Sequence, residues 1–167
     1  LVLVTFSSLL TIFTRQQYKA YYTYDEAVML YQTGSYEEAC KSFSEVYIPL
    51  QYTGSYLQYY AKAFFMNGNN EESIEMYERA KKYNSDEMLY CSLGDAYKVA
   101  KRYEDAEEAY HNASIMVPHK LYPLYLLATL YDETGQRIKA VAIAMRSAEH
   151  TYERQSLPHR SYAGFFW

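Results

Sequence analysis

Residues 90–118 read YCSLGDAYKVAKRYEDAEEAYHNASIMVP, and the spacing of large and small side chains within this stretch decides the fold. Tyr90, Leu93 and Tyr97 recur at three- and four-residue steps, so they share one face of a helix. After a short polar break, Ala106, Tyr110 and Ala113 repeat the same spacing, and Pro118 follows. Two amphipathic helices joined by so short a connection pack antiparallel. Small Gly94 and Ala106 let their axes approach, bulky Tyr90, Leu93, Tyr97 and Tyr110 fill the space around them, and Pro118 stops the second helix. One such pair cannot cover its own apolar surface and needs similar units beside it.

The rest of the chain supplies them. Gly34 and Gly68 lie 34 residues apart, and Gly68 and Gly135 lie 67 apart, close to twice that interval. A small residue on each second helix recurs as Ala39, Ser73, Ala106 and Ala140, in steps of 34, 33 and 34. The first unit carries Ala27 and Leu30, then Ala39 and Phe43. The second carries Leu57, Tyr60, Ala61 and Phe64, then Ser73, Tyr77 and Ala80. In the fourth, Leu124, Leu127, Ala128 and Tyr131 precede Ala140 and Ala144, without a large aromatic or a terminal proline on the second helix. The pattern Tyr90-x2-Leu93-Gly94-x2-Tyr97, Ala106-x3-Tyr110, Pro118 resembles the tetratricopeptide repeat (TPR), with Tyr in place of the usual Trp and Phe.

The expected fold class is therefore all-α, a TPR helix-turn-helix solenoid of about four repeats preceded by the end of a transmembrane helix. The repeats fall at about 20–53, 54–86, 87–120 and 121–154. The periodicity predicts helices at about 2–33, 35–48, 54–67, 70–83, 86–100, 103–116, 121–134 and 136–152. Ser35 before Glu37 and Glu38, Asn70 before Glu71 and Glu72, and Ser85 before Asp86 and Glu87 read as helix starts, with acid against the positive end of the dipole.

Residues 1–14, LVLVTFSSLLTIFT, are apolar or hydroxylic and uncharged. A full span takes about 20 such residues. The run is shorter than that and starts at the first residue of a chain without an initiator Met, which reads as the end of a longer hydrophobic helix. Arg15, Tyr18, Lys19, Tyr21, Tyr22 and Tyr24 follow at once, as at a bilayer interface. A signal-peptide core and a buried core helix are the alternatives. This divides the chain into a membrane-helix end at 1–17, a TPR domain at 18–154 and an irregular tail at 155–167, whose last residues are Phe165, Phe166 and Trp167.

Composition narrows the function classes. A net charge of −4 with interspersed signs leaves no electrostatic footprint for nucleic acid. Tyrosine dominates the aromatics, with 22 Tyr against 7 Phe and 1 Trp, so most large packing positions carry a hydroxyl; these rings either pack the stack or offer stacking area to a peptide or glycan. Cys40 and Cys91 form neither a CxxC pair nor a disulfide framework. His111, His119, His150 and His159 pair with no carboxylate or thiol at metal-ligand spacing. No phosphate loop or nucleophile elbow occurs, and no catalytic residue, metal or cofactor is expected.

In TPR proteins the first helix of each repeat lines a concave surface. Carried onto this chain, the inward positions are Tyr21, Tyr24, Val28 and Tyr31, then Ser55, Gln58, Lys62 and Phe65. They continue with Met88, Cys91, Asp95 and Lys98, then Tyr122, Tyr125, Thr129 and Asp132. The binding candidates among them are Tyr21, Tyr24, Tyr31, Lys62, Asp95, Lys98, Tyr122 and Tyr125, with the tyrosines stacking on a ligand and Lys62 and Lys98 meeting a carboxylate or acidic sugar. The set lacks the two-carboxylate clamp of chaperone-binding TPRs, because Tyr24 and Val28 stand where that clamp has Lys and Asn.

A hydrophobic helix end running into YTYDEAVMLYQTGSYEEACKSFSEVY, and later VPHKLYPLYLLA at 117–128, resembles the C-terminal region of the O-antigen ligase family of Bacteroidota membrane proteins. The resemblance implies a non-catalytic TPR scaffold on the periplasmic side of the inner membrane, attached to an enzyme that ligates or polymerises polysaccharide. On that resemblance the enzyme's catalytic residues belong to the membrane part and its large periplasmic loop, which this chain does not contain. The implied partners are a protein or peptide, or a glycan, and the membrane through the first helix. The rival reading is a free-standing TPR adaptor that docks a peptide. Deleting residues 1–14 is expected to leave a soluble, strongly helical protein by far-ultraviolet circular dichroism; a spectrum dominated by strand would end the helical-repeat reading.

Overall fold

The computed structural model describes residues 2–156, and among these every regular element is helical. In chain order the helices are α1 (Val2–Gln32), α2 (Tyr36–Glu45), α3 (Tyr47–Leu50), α4 (Gly54–Met66), α5 (Asn70–Ala80), α6 (Glu87–Val99), α7 (Tyr103–Met116), α8 (Tyr122–Glu133) and α9 (Arg137–Ser156). The pairs α1/α2, α4/α5, α6/α7 and α8/α9 are the four repeats, and α2 against α4, α5 against α6 and α7 against α8 join each repeat to the next. The expected all-α solenoid is the observed architecture.

Each turn inside a repeat needs one left-handed residue, because the chain must reverse right after the first helix. Gly34, Gly68 and Gly135 supply it at φ 86°, 84° and 74°, where a residue without a Cβ meets little steric cost. In the third repeat Lys101 takes this place at φ 61°, which explains why the glycine interval doubles there. The amide after each left-handed residue closes the end of the helix. Ser35 N–H donates to the Leu30 carbonyl, Arg102 N–H to that of Tyr97, and Gln136 N–H to that of Tyr131.

The seam within a repeat is made by a small residue facing a large ring. A Cβ built on Gly94 would lie 2.4 Å from the Tyr110 ring, so α6 and α7 could not keep their present separation with Ala there. Tyr110 is fully buried, and its hydroxyl continues past the seam to donate to Asp95 Oδ1 at 2.6 Å. In the second repeat Ala61 takes the place of Gly94, and buried Ser73, at the place of Ala106, donates to the Ala61 carbonyl at 2.9 Å.

Tyrosine hydroxyls also tie one repeat to the next. Tyr56 of α4 donates to the Phe43 carbonyl of α2 at 2.6 Å, Tyr97 of α6 to Glu78 of α5 at 2.8 Å, and Tyr131 of α8 to Glu107 of α7 at 2.8 Å. Cations close over two of these rings: the Arg102 guanidinium lies 4.5 Å from the Tyr97 centroid and the Lys139 ammonium 4.9 Å from that of Tyr131. Burial raises the pKa of all three phenols, and for Tyr97 and Tyr131 the acceptor carboxylate raises it further, keeping the donors protonated.

The boundaries differ from expectation at several points. The second helix of the first repeat breaks at Val46 into α2 and α3, because Pro49 has no N–H for the Glu45 carbonyl four residues back. Helix α5 ends at Ala80, three residues early, where the chain tightens into three-residue hydrogen bonds from Lys82 to Arg79 and from Tyr83 to Ala80. Asn69, not Asn70, is the cap residue of α5. Asp86, not Ser85, caps α6, accepting from the Leu89 amide at 2.8 Å. Helix α9 reaches Ser156 and takes in two residues assigned to the irregular tail; the remainder of that tail, with Phe165, Phe166 and Trp167, lies outside the described residues.

Helix α1 runs without interruption from the apolar end into the first repeat, and Leu9, Leu10, Ile12 and Phe13 are all exposed along it. Among the described residues no helix is long and apolar enough to cross a membrane.

Two substitutions test the turn and the seam. Gly94→Ala is expected to lower unfolding free energy in urea by about 1–3 kcal/mol, as overpacking against a fixed ring does. Lys101→Gly is expected to raise it by about 1 kcal/mol through relief of the left-handed backbone, net of glycine's added unfolded-state entropy. A neutral Gly94→Ala would mean that the helices can separate, and a destabilised Lys101→Gly would contradict the account of the turn.

Candidate functional site

The first helices of the repeats converge on a cavity of about 140 Å³ at the centre of the stack, lined by Tyr31 of α1, Lys62, Phe65 and Met66 of α4, Tyr77 of α5, and Ser92 and Asp95 of α6. Three consecutive repeats therefore contribute to it. Helical spacing brings these residues together: Lys62 and Phe65 are one turn apart on α4, and Ser92 and Asp95 one turn apart on α6. Its lining combines a cation, Lys62, and a carboxylate, Asp95, with the apolar surface of Phe65 and Met66.

Lys62 is half-buried, and its ammonium lies 5.2 Å from the centroid of the Tyr59 ring. Among the described residues it forms no ion pair, so its charge is held by an aromatic face and left available to the cavity. Asp95 stands on the facing helix. Burial raises its carboxyl pKa above the ordinary aspartate value, offset in part by the Tyr110 hydrogen bond and by the charge of Lys98. Ser92 sits beside the Tyr77 hydroxyl, and burial pushes that phenol's pKa upward.

The eight candidate residues occupy four kinds of place. Tyr31, Lys62 and Asp95 meet at the cavity. Lys98 does not join them as an available cation, because its ammonium pairs with Glu133 of α8 at 3.3 Å. The expectation had both lysines meeting one anion, whereas here Lys98 already has a carboxylate neighbour and Lys62 has none among the described residues. Tyr24 packs among Phe43, Tyr56 and Tyr59 at centroid distances of 6.0–6.3 Å, so much of its ring is already used inside the stack. Tyr21, Tyr122 and Tyr125 are exposed, the first on α1 and the other two on α8, at opposite ends of the repeat array. Cys91, assigned to an inward position, is instead buried at 1% exposure, and burial raises its thiol pKa to about 12.

Met66, Tyr77 and Ser92 were not among the expected inward residues. Ser92 precedes Asp95 by one turn, so its spacing carried the signal. Tyr77 belongs to a second helix and reads as packing; only the three-dimensional seam shows that its hydroxyl edge reaches the cavity. No group of His, Cys, Asp and Glu that could hold a metal ion occurs among the described residues.

No protein-family model matches the chain. In sequence it is similar to the BBSome complex member BBS4 of Bos taurus, 25% identical over 138 residues that cover 82% of this chain and 26% of that protein. The Mus musculus counterpart is 24% identical over the same share. The chain thus spans about a quarter of the length of the curated relatives it matches. Among solved structures, MamA superposes with a TM-score of 0.77 at 18% identity, covering 83% of this chain and 76% of its own. The first TPR of Spaghetti (RPAP3), bound to the HSP90 peptide SRMEEVD, gives 0.65 at 18% identity, covering 71% of this chain and 95% of its own. YrrB, a TPR protein with an unusual peptide-binding site, gives 0.66 at 12% identity, covering 77% of this chain and 66% of its own. With four helix pairs, left-handed turns at a constant interval and these structural neighbours, the chain has the fold of a TPR solenoid.

Proposed function

We propose that this chain is a non-catalytic interaction domain that holds an extended peptide along its concave groove. The observation that carries the reading is Lys62, a half-buried ammonium beside Tyr59 with no carboxylate partner among the described residues, at a cavity built from three repeats. A cation kept partly out of water without a counter-ion is a ready partner for an incoming acceptor. Two solved neighbours at low identity are described as holding, or having a site for, a peptide, which supports this class of ligand. The chaperone-type clamp does not carry over, since Tyr24 and Val28, at its first-repeat positions, are partly buried against the core.

We further propose that the domain is the periplasmic C-terminal part of a membrane-bound O-antigen ligase or polysaccharide polymerase, positioning a partner of that enzyme. The support is the sequence resemblance together with α1, whose exposed Leu9, Leu10, Ile12 and Phe13 lead into Arg15, Tyr18 and Lys19. A free-standing adaptor is the second reading, and the peptide groove favours it equally. The coding sequence upstream of Leu1 separates them: several further membrane spans are expected in the first case, a short leader in the second.

The groove itself is tested by selecting peptides from a random display library on the chain, kept dispersed by mild detergent, and comparing Lys62→Ala with the parent. The variant is expected to lose about tenfold or more in affinity, within the range of a hot-spot contact. Its thermal stability should remain within about 0.5 kcal/mol, as for a group that packs little. Selected peptides that bind Lys62→Ala as well as the parent would place the interaction elsewhere.

A further inference from the structure

The cavity presents two opposite charges to whatever enters it. On one wall is the Lys62 ammonium. On the other is Asp95, whose Oδ1 is held by the Tyr110 hydroxyl while Oδ2, among the described residues, accepts no hydrogen bond. No ion pair within 4.0 Å joins Lys62 to Asp95, so each is left to find a partner in the space between them. Phe65, Met66 and Tyr31 complete the lining of this space.

Four ligand chemistries can be weighed against that arrangement. A carboxylate gains Lys62 but meets Asp95 as a like charge. An ammonium or guanidinium gains Asp95 but meets Lys62. An apolar side chain strips water from both charges and returns nothing. An uncharged amide satisfies both at once, its carbonyl accepting from Lys62 and its N–H donating to Asp95. We propose that the cavity between Lys62 and Asp95 recognises an uncharged amide of the bound peptide, supplied by an Asn or Gln side chain or by a main-chain unit, and that Tyr110 is a positioning residue for Asp95.

The seam gives Tyr110 this second role. Its ring passes where a Gly94 Cβ would stand, and its hydroxyl occupies one carboxylate oxygen, which orients the other. The inference rests on the peptide-groove reading and narrows it to a chemical class. It differs from the expectation of an acidic ligand, which had Lys62 and Lys98 acting together; Lys98 lies near enough for its charge to act on Asp95 but is itself paired to Glu133, so Lys62 is the cation left for a ligand.

The test uses four blocked amino acids as probes, the N-acetyl N′-methylamides of Gln, Glu, Lys and Ala, titrated into the isotope-labelled chain in mild detergent. Binding is read from the amide resonances of Lys62, Ser92 and Asp95. The Gln probe is expected to bind at least about fivefold tighter than the Glu and Lys probes, because each charged probe leaves one wall repelled. That preference is the expectation for a side-chain amide, with the Ala probe weaker than Gln; Ala, Glu and Lys probes that all bind as well as Gln would assign the main-chain amide, which the four share. Asp95→Asn should bring Glu up to or above Gln, and Lys62→Met should do the same for Lys, which keeps the inference testable if either variant fails to fold. Tyr110→Phe should weaken Gln binding while leaving the Glu probe unchanged, whereas a merely structural role would weaken both alike. A parent protein that prefers the Glu or Lys probe overturns the proposal. So does the absence of any shift at these residues, and in that case the affinity of display-selected peptides for Lys62→Ala still decides the groove reading independently.

Discussion

Tyr110 reaches Asp95 only because Gly94 carries no side chain, and that single passage joins the packing of the repeat to a carboxylate that lines the central cavity. A ring placed between two helices has to be matched by the absence of atoms opposite, so the seam dictates the small residue, the helix separation and the path of the hydroxyl together. The same matching recurs as buried Ala27, Ala61 and Ala39 in the other repeats, and in the third repeat the buried tyrosine hydroxyl ends on Asp95, a residue that lines the cavity. The packing of the seam and the placing of the Asp95 carboxylate therefore share an atom. A substitution that loosens the seam also loosens the carboxylate.

The excess of tyrosine follows from the same economy of contacts. A buried hydroxyl without a partner costs more than a phenylalanine would, so each tyrosine in the stack has to find an acceptor. Here the acceptors lie mostly on the preceding repeat: the Phe43 carbonyl for Tyr56, Glu78 for Tyr97 and Glu107 for Tyr131. Directional bonds of this kind fix the rotation between neighbouring repeats, which apolar packing alone specifies less sharply. No buried side-chain polar atom is left unpaired among the described residues. The acidic pairs on the second helices thus do more than complement the helix dipole, since Glu107 also anchors Lys139 of the next repeat.

The repeat architecture was legible because it is written redundantly, in the intervals of Ala39, Ser73, Ala106 and Ala140 and in the turn glycines, so an irregular residue such as Lys101 could not hide the register. Helix ends were less legible. Pro49 breaks a helix, but whether the chain resumes as a further turn depends on burial of Leu50, and Asp86 outcompetes Ser85 as a cap through geometry that both residues could adopt. Tyr31, Lys62 and Asp95 line one cavity, and their places on the first helices follow from helical spacing. What spacing could not reveal is which charges are already spent. Lys98 looks like Lys62 in sequence, and only the approach of Glu133 from α8, 35 residues later, separates them.

The claim that seam and groove are one unit can be measured directly as a double-mutant cycle on urea unfolding, using Tyr110→Phe, Asp95→Ala and the pair of them. The account predicts a coupling of about 1 kcal/mol or more between the two sites, the size expected for a partly buried hydrogen bond to a carboxylate. Effects that add to within about 0.3 kcal/mol would contradict it, showing that the hydroxyl and the carboxylate do not act on one another.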